Sequence, residues 1–170
     1  MTAESAAGAT ADTSAEAGEN RLDAAAVAAD SLLEQLVDRD ETMLEMARLA
    51  VTRHEQLKVS ADARRILSER RKESNKLLGT LKGEYHVTHK PEIRTVDQPV
   101  LDSLNGGGVG QFDRLFIEVA AKRNEEDAQI IERALSRVSP QLREMLTAMR
   151  DARSSEAEMF RKQVPKESTR

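Results

Sequence analysis

The chain has no cysteine and no tryptophan, and only one tyrosine and three phenylalanines among 170 residues. Without cysteine there can be no disulfide, no thiolate metal site and no cysteine nucleophile. So few aromatics leave no platform on which nucleotide bases could stack. The net charge of −4 adds no global basic field that would point to nucleic acid. No run approaches the roughly 20 consecutive apolar residues of a membrane helix. Aromatic and β-branched residues are too scarce for a sandwich or barrel. What is abundant is leucine, alanine, methionine and isoleucine among 33% charged residues. That mixture, over this length, fits one all-α domain plus a tail.

The opening MTAESAAGATADTSAEAGEN has neither a basic n-region nor an apolar h-region, so it does not read as a signal peptide. It offers almost nothing to bury, and residues 1–20 are expected to form a disordered tail. A first helix is expected from Arg21 or Asp30 to Arg53, and a second from an N-cap at Ser60 to a stop near Gly83. Together they predict a hairpin over residues 30–84. A long irregular crossover follows over 85–110, with Pro91, Pro99 and the run Gly106-Gly107-Gly108. A third helix from Gln111 to Arg137 and a fourth after Ser139-Pro140, ending near Gln163, predict a second hairpin over 111–163. Residues 164–170 read as a second disordered tail. The whole is an antiparallel four-helix bundle spanning 21–163.

One kind of segment occurs twice, as Leu36–Ala50 and as Phe112–Ile131. In the first, Leu36, Met43, Ala47 and Ala50 share a helical face with Asp40. In the second, Phe112, Phe116, Val119, Ile130 and Ala134 share a face interrupted by Arg123 and by Glu126 or Asp127. A charge aimed at a core is costly unless paired or bound to something. Asp40 and Arg123 occupy matching points of the repeats and are expected to meet. Arg70 of helix two is expected to approach Glu156 of helix four. Asp40, Arg70, Arg123 and Glu156 are therefore the expected members of a buried charge layer.

LVDRDETMLEMARLA resembles the first-helix signature of exported bacterial ferritin-like families of unknown function, with Leu36-Val37 matching an apolar pair and Glu45-Met46-Ala47 matching its close. Arg39 and Asp40 stand where those families carry adjacent histidines. In the second segment Arg123 and Asn124 do the same, followed by a matching Glu125. The resemblance implies a ferritin-like fold and an extracytoplasmic home. It implies no metal site, because all four histidine positions are substituted.

Dimetal bundles hold their ions with inward carboxylates and Glu-x-x-His pairs, and no Glu-x-x-His occurs here. Asp40, Glu73, Glu126 and Glu156 are possible inward carboxylates, but Arg70 and Arg123 on inner faces favour ion pairing. His86 and His89 form a His-x-x-His pair in the crossover, with His54 at a helix end and no third ligand in sequence. The glycine run lacks the Lys-Ser/Thr of a phosphate loop and follows no strand, so it reads as a turn into a helix. Arg64, Arg65, Arg70, Arg71 and Lys72 are interleaved with Glu69 and Glu73, as on a solvated face. No catalytic constellation is assembled from these residues. The leading expectation is a non-enzymatic bundle with degenerate ligand positions and no cofactor, acting on an unknown protein or small ligand or as a structural module. The rival readings are a metal-binding or redox-linked bundle using Asp40, Glu126 and Glu156, with His86 and His89, and an oligomeric helical assembly protein.

Overall fold

Apolar residues at spacings of three and four run through each long segment, and each segment folds as one helix with that stripe inward. The structure, a computed structural model, describes residues 13–108 and 110–164, with side chains from residue 28 onward. Five helices follow in order: α1 (Thr13–Arg53), α2 (Leu57–Glu84), α3 (Gln98–Gly106), α4 (Phe112–Ala134) and α5 (Pro140–Arg161). Among the described residues there is no strand, and no helix is long and apolar enough to cross a membrane. α1 pairs with α2 and α4 with α5 as two hairpins, which meet chiefly along α1 and α4.

The stripes meet in two apolar clusters, one toward each end of the bundle. One holds Met43, Met46, Ala47 and Ala50 of α1 with Ile66, Leu104, Phe116 and Phe160. All three phenylalanines lie there, Phe112 stacked on Phe116 at 6.3 Å and Phe116 edge-on to Phe160 at 5.9 Å. The other holds Leu33, Leu36 and Val37 with Leu77, Leu81, Ile131, Leu142 and Leu146. Between them every stripe is interrupted by charge.

Several expected boundaries move. α1 begins at Thr13, so part of the expected tail is helix; residues 1–12 and 165–170 lie outside the described residues. α2 begins three residues before Ser60, which is buried inside the helix. Its N-terminal donors are met from another helix: Asp113 of α4 accepts from the backbone N–H of Gln56 at 2.7 Å and of Glu55 at 3.2 Å. α4 buries Ala120, Ala128 and Ile131, whereas Val119, Ile130 and Ala134 are only half-buried. Its inward face is thus rotated from the one expected. Ser139 caps α5 as expected, accepting from Leu142 N–H at 3.3 Å, with Pro140 in the first turn.

α2 also passes through Gly83. It ends one residue on, at Glu84, close to the expected stop, and just beyond it His86 takes φ +56° and the N–H of Val87 reaches back to the carbonyl of Leu81 at 3.0 Å. This is a left-handed helix end, usually filled by glycine because a Cβ is disfavoured there. His86→Gly is expected to stabilise the protein by about 1 kcal/mol. Denaturant unfolding at unchanged m-value checks it, and a loss of stability would mean that the His86 side chain holds the turn.

The crossover is partly helical rather than irregular, carrying a 3₁₀ turn at Thr95–Asp97 and then α3. Arg53, the last residue of α1, donates to the carbonyls of Leu104 and Gly107 at 2.9 Å each and lies 5.4 Å over the Phe112 ring. Gly110, at φ +85°, turns its N–H onto Glu55, a conformation other residues rarely adopt.

Candidate functional site

The charge that interrupts the four stripes lies in one layer across the middle of the bundle, in two groups: one joins α1, α2, α4 and α5 through Arg70 and Arg153, and the other pairs Arg123 with the crossover. α1 contributes Arg39 and Asp40, α2 contributes Arg70, α4 contributes Arg123, Asn124 and Asp127, and α5 contributes Arg153 and Glu156, all buried. Arg70 is wholly inaccessible. Its Nη2 donates to Glu156 Oε2 at 2.7 Å and to Asn124 Oδ1, and its Nη1 reaches Asp40 Oδ1 and Glu73 Oε2 at 3.5 Å. Arg153 donates to the same Asp40 oxygen at 2.8 Å and lies 2.6 Å from Glu73 Oε2. Arg39 binds Asp127 and, at 3.1 Å, Glu126.

The crossover seals the layer on the α1/α4 side. Asp97 accepts from Arg123 at 2.7 Å, from Arg94 at 2.9 Å and from the Thr42 hydroxyl at 3.1 Å. A little further out, Asp38 of α1 bonds His89 Nε2 at 2.7 Å and accepts from the backbone N–H of Glu92 at 3.1 Å. On the opposite side α2 and α5 lie further apart. A cavity of about 520 Å³ opens between them, lined by Glu73, Lys76, Glu144, Met145, Ala148 and Met149 among others. Glu73 thus touches both the layer and the cavity.

Burial governs the electrostatics. It pushes the Asp40 carboxyl up to about 7, outweighing the Arg70 guanidinium, and it raises Glu73 to about 7 against the same arginine. Asp40 Oδ2 has no hydrogen-bond partner, although Oδ1 receives both guanidiniums. Burial also opposes ionisation of Asp97, but hydrogen bonds from Arg123 and Arg94 overcome it and hold that carboxyl well below the usual range. Because the raised groups bind protons more tightly when folded, they favour the native state below about pH 4, and that contribution is lost as pH rises through 7. Unfolding midpoints in urea are therefore expected to decline from about pH 5 to about pH 8, and Glu73→Gln to flatten the decline. A profile for Glu73→Gln parallel to wild type would remove Glu73 from this account.

The partners differ from those expected. Asp40 and Arg123 do not pair; Asp40 meets Arg153 and Arg70, and Arg123 meets Asp97. The crossover, which sequence spacing cannot place, inserts Asp97 between α1 and α4 and captures Arg123. Arg70 and Glu156 do meet. Of the two α4 candidates, Asp127 is buried, whereas the Glu126 side chain is 43% exposed. Arg153 went unnoticed in the sequence, although it follows Met149 by four and precedes Ala157 by four on the α5 stripe. Asp97 gave no signal, because a loop carries no period. His86 is exposed, His89 is held against Asp38, and His54 is turned onto the Ala50 and Val51 carbonyls at the end of α1. The glycine run ends α3 and leads into α4.

The family model described as domain of unknown function DUF4142 matches residues 10–162. Among solved structures, CopM in the Cu(II)-bound form is similar, with a TM-score of 0.70 at 15% identity over 79% of this chain and 94% of that one. No curated protein matches the chain.

Proposed function

Because this chain belongs to the DUF4142 family, a domain of unknown function, we propose from its own geometry that it is a non-enzymatic helical-bundle module, acting by binding or as a structural element, with ion pairs where a metal bundle would hold its ions. One observation carries this reading. Four buried guanidiniums, Arg39, Arg70, Arg123 and Arg153, lie in the central layer, each on a carboxylate. A multivalent cation placed among them would have to displace an arginine from its partner and would meet repulsion from the rest. Asp40 and Glu156 are consumed in this way, and Glu126 sits at the rim on Arg39.

The rival reading, a metal-binding bundle, is favoured by the likeness to CopM in its Cu(II)-bound form. Here copper would need donors outside the layer. His89 is the nearest candidate, yet its two nitrogens face Asp38 at 2.7 Å and Glu34 at 3.7 Å on opposite sides of the ring. Such a ring bridges two carboxylates rather than joining them around one ion.

Elemental analysis of protein purified without chelator, followed by titration with Cu(II), separates the two readings. The expected result is no stoichiometric copper, iron, zinc or manganese and no saturable Cu(II) uptake that is lost in His89→Ala or Asp40→Asn. Stoichiometric metal that is lost in either variant would overturn the proposal.

A further inference from the structure

α1 is longer than the bundle it belongs to. Its Ala29 and Leu33 pack with Leu81 near the end of α2, Leu142 at the start of α5, and Leu135 and Val138 just beyond α4. Residues 13–27 therefore run past that end of the bundle as a helix, over about 22 Å at 1.5 Å per residue. At the foot of this overhang α1 and α4 leave a groove of about 310 Å³, with Ala29, Leu32, Ile130, Ala134 and Val138 as its apolar part. The rotation of α4 is what leaves Ile130 and Ala134 only half-buried here. Arg133 and Arg137 stand one turn apart along the groove, exposed and in no ion pair among the described residues. An apolar groove edged by two free cations fits an apolar helix that carries two carboxylates one turn apart. The sequence of the overhang meets that description. Glu19 and Asp23 are spaced by four, beside Leu22 and the run AAAVAA over 24–29.

We propose that this groove receives the N-terminal stretch of α1 from a second copy of the chain, in a twofold dimer whose two α1 helices run antiparallel. Charge sets the register. Arg39 of α1 lies against Asp127 of α4, and the two helices run in opposite directions. Arg133 therefore falls at the level of Leu33, and Arg137 at the level of Ala29. Glu19 and Asp23 of the second copy reach these two arginines when the axis passes near Ala26, inside the alanine run. Small side chains at that crossing let the two helix backbones approach closely. The same operation seats the first copy's overhang on the second copy's groove, so four carboxylates find four arginines and the contact closes at two chains. Residues 1–12, MTAESAAGATAD, hold one large apolar residue, Met1, and have no run that would fill the groove from within the same chain. The dimer uses no residue of the charge layer, so it stands or falls apart from the proposed function.

Sedimentation of the full chain over a dilution series is expected to show a dimer, twice the 18.8 kDa of one chain, that dissociates to monomer. Reversing the groove, Arg133→Glu with Arg137→Glu, is expected to weaken dimerisation about tenfold or more, because attractions on both sides of the axis become repulsions. Reversing the overhang instead, Glu19→Lys with Asp23→Lys, is expected to do the same. The two variants mixed in equal amounts are expected to form a heterodimer of wild-type strength, since every groove then faces an overhang of opposite sign. That rescue excludes misfolding as the cause of either loss. A wild-type chain that stays monomeric, with the groove open or covered by residues 1–12, would overturn the proposal. So would a dimer indifferent to either reversal, or two variants that fail to associate when mixed.

Discussion

Arg70→Ala is expected to lower the free energy of unfolding by about 3–5 kcal/mol at neutral pH, because it strands buried carboxylates. The Arg70 guanidinium is inaccessible and serves Glu156, Asp40, Glu73 and Asn124 at once. With it gone, Asp40 keeps only Arg153, and Glu156 keeps only the distant Arg65 at 3.6 Å. In a domain of this size the loss corresponds to a fall in Tm of roughly 6–20 °C. The deficit is expected to shrink at about pH 5, since Asp40 and Glu73, already raised to about 7, can take up protons and cease to be stranded charges. Arg70→Met, which restores volume but not charge, is expected to recover part of the loss at low pH and little at high pH. Urea unfolding at both pH values measures this. A loss of under about 1 kcal/mol, the worth of an exposed pair, would mean that water reaches the layer.

Asp97→Ala is expected to be nearly as damaging, by a different route. Asp97 accepts from Arg123, Arg94 and Thr42, and through them fastens the crossover between α1 and α4. Its removal leaves Arg123 buried opposite no carboxylate, at a cost of about 3–5 kcal/mol. Arg123→Ala leaves Asp97 with Arg94, which is only half-buried, so its cost is expected to be smaller. The double mutant is expected to be little worse than Asp97→Ala alone, a coupling of more than 1 kcal/mol. Simple additivity would mean that the two side chains act independently. The pH signature is opposite to that of Asp40 and Glu73. Because the Asp97 carboxyl is held low in the folded state, its contribution is present above about pH 4 and lost as pH falls below that. Asp97→Ala should therefore remove part of the acid lability of the wild type while leaving the decline toward alkaline pH intact. Proteolysis within 85–97 should also quicken in this variant, since this part of the crossover loses one of its anchors, while Asp38 on His89 and Glu92 remains.

Periodicity alone determined that this chain is all-α, with long helices paired in sequence order as two hairpins. Repeats of three and four also fixed that Asp40, Arg70, Arg123 and Glu156 interrupt apolar stripes, since a helical face follows from spacing with no reference to neighbours. Ser139-Pro140 marked the start of α5 because its cap is made within the same turn. Where a cap comes from another helix, as Asp113 supplies for α2, local signals misplaced the start at Ser60. Only the tertiary structure decided which charge meets which. A small rotation of α4 buries Asp127 and brings Glu126 to the rim, an ambiguity that spacing could not settle. The crossover delivers Asp97 to Arg123 and frees Asp40 for Arg153, a contact between residues 113 apart in sequence. Partner choice depends on helix rotation and on the path of a non-periodic segment, and pairing energies at such distances act only after the chain has folded.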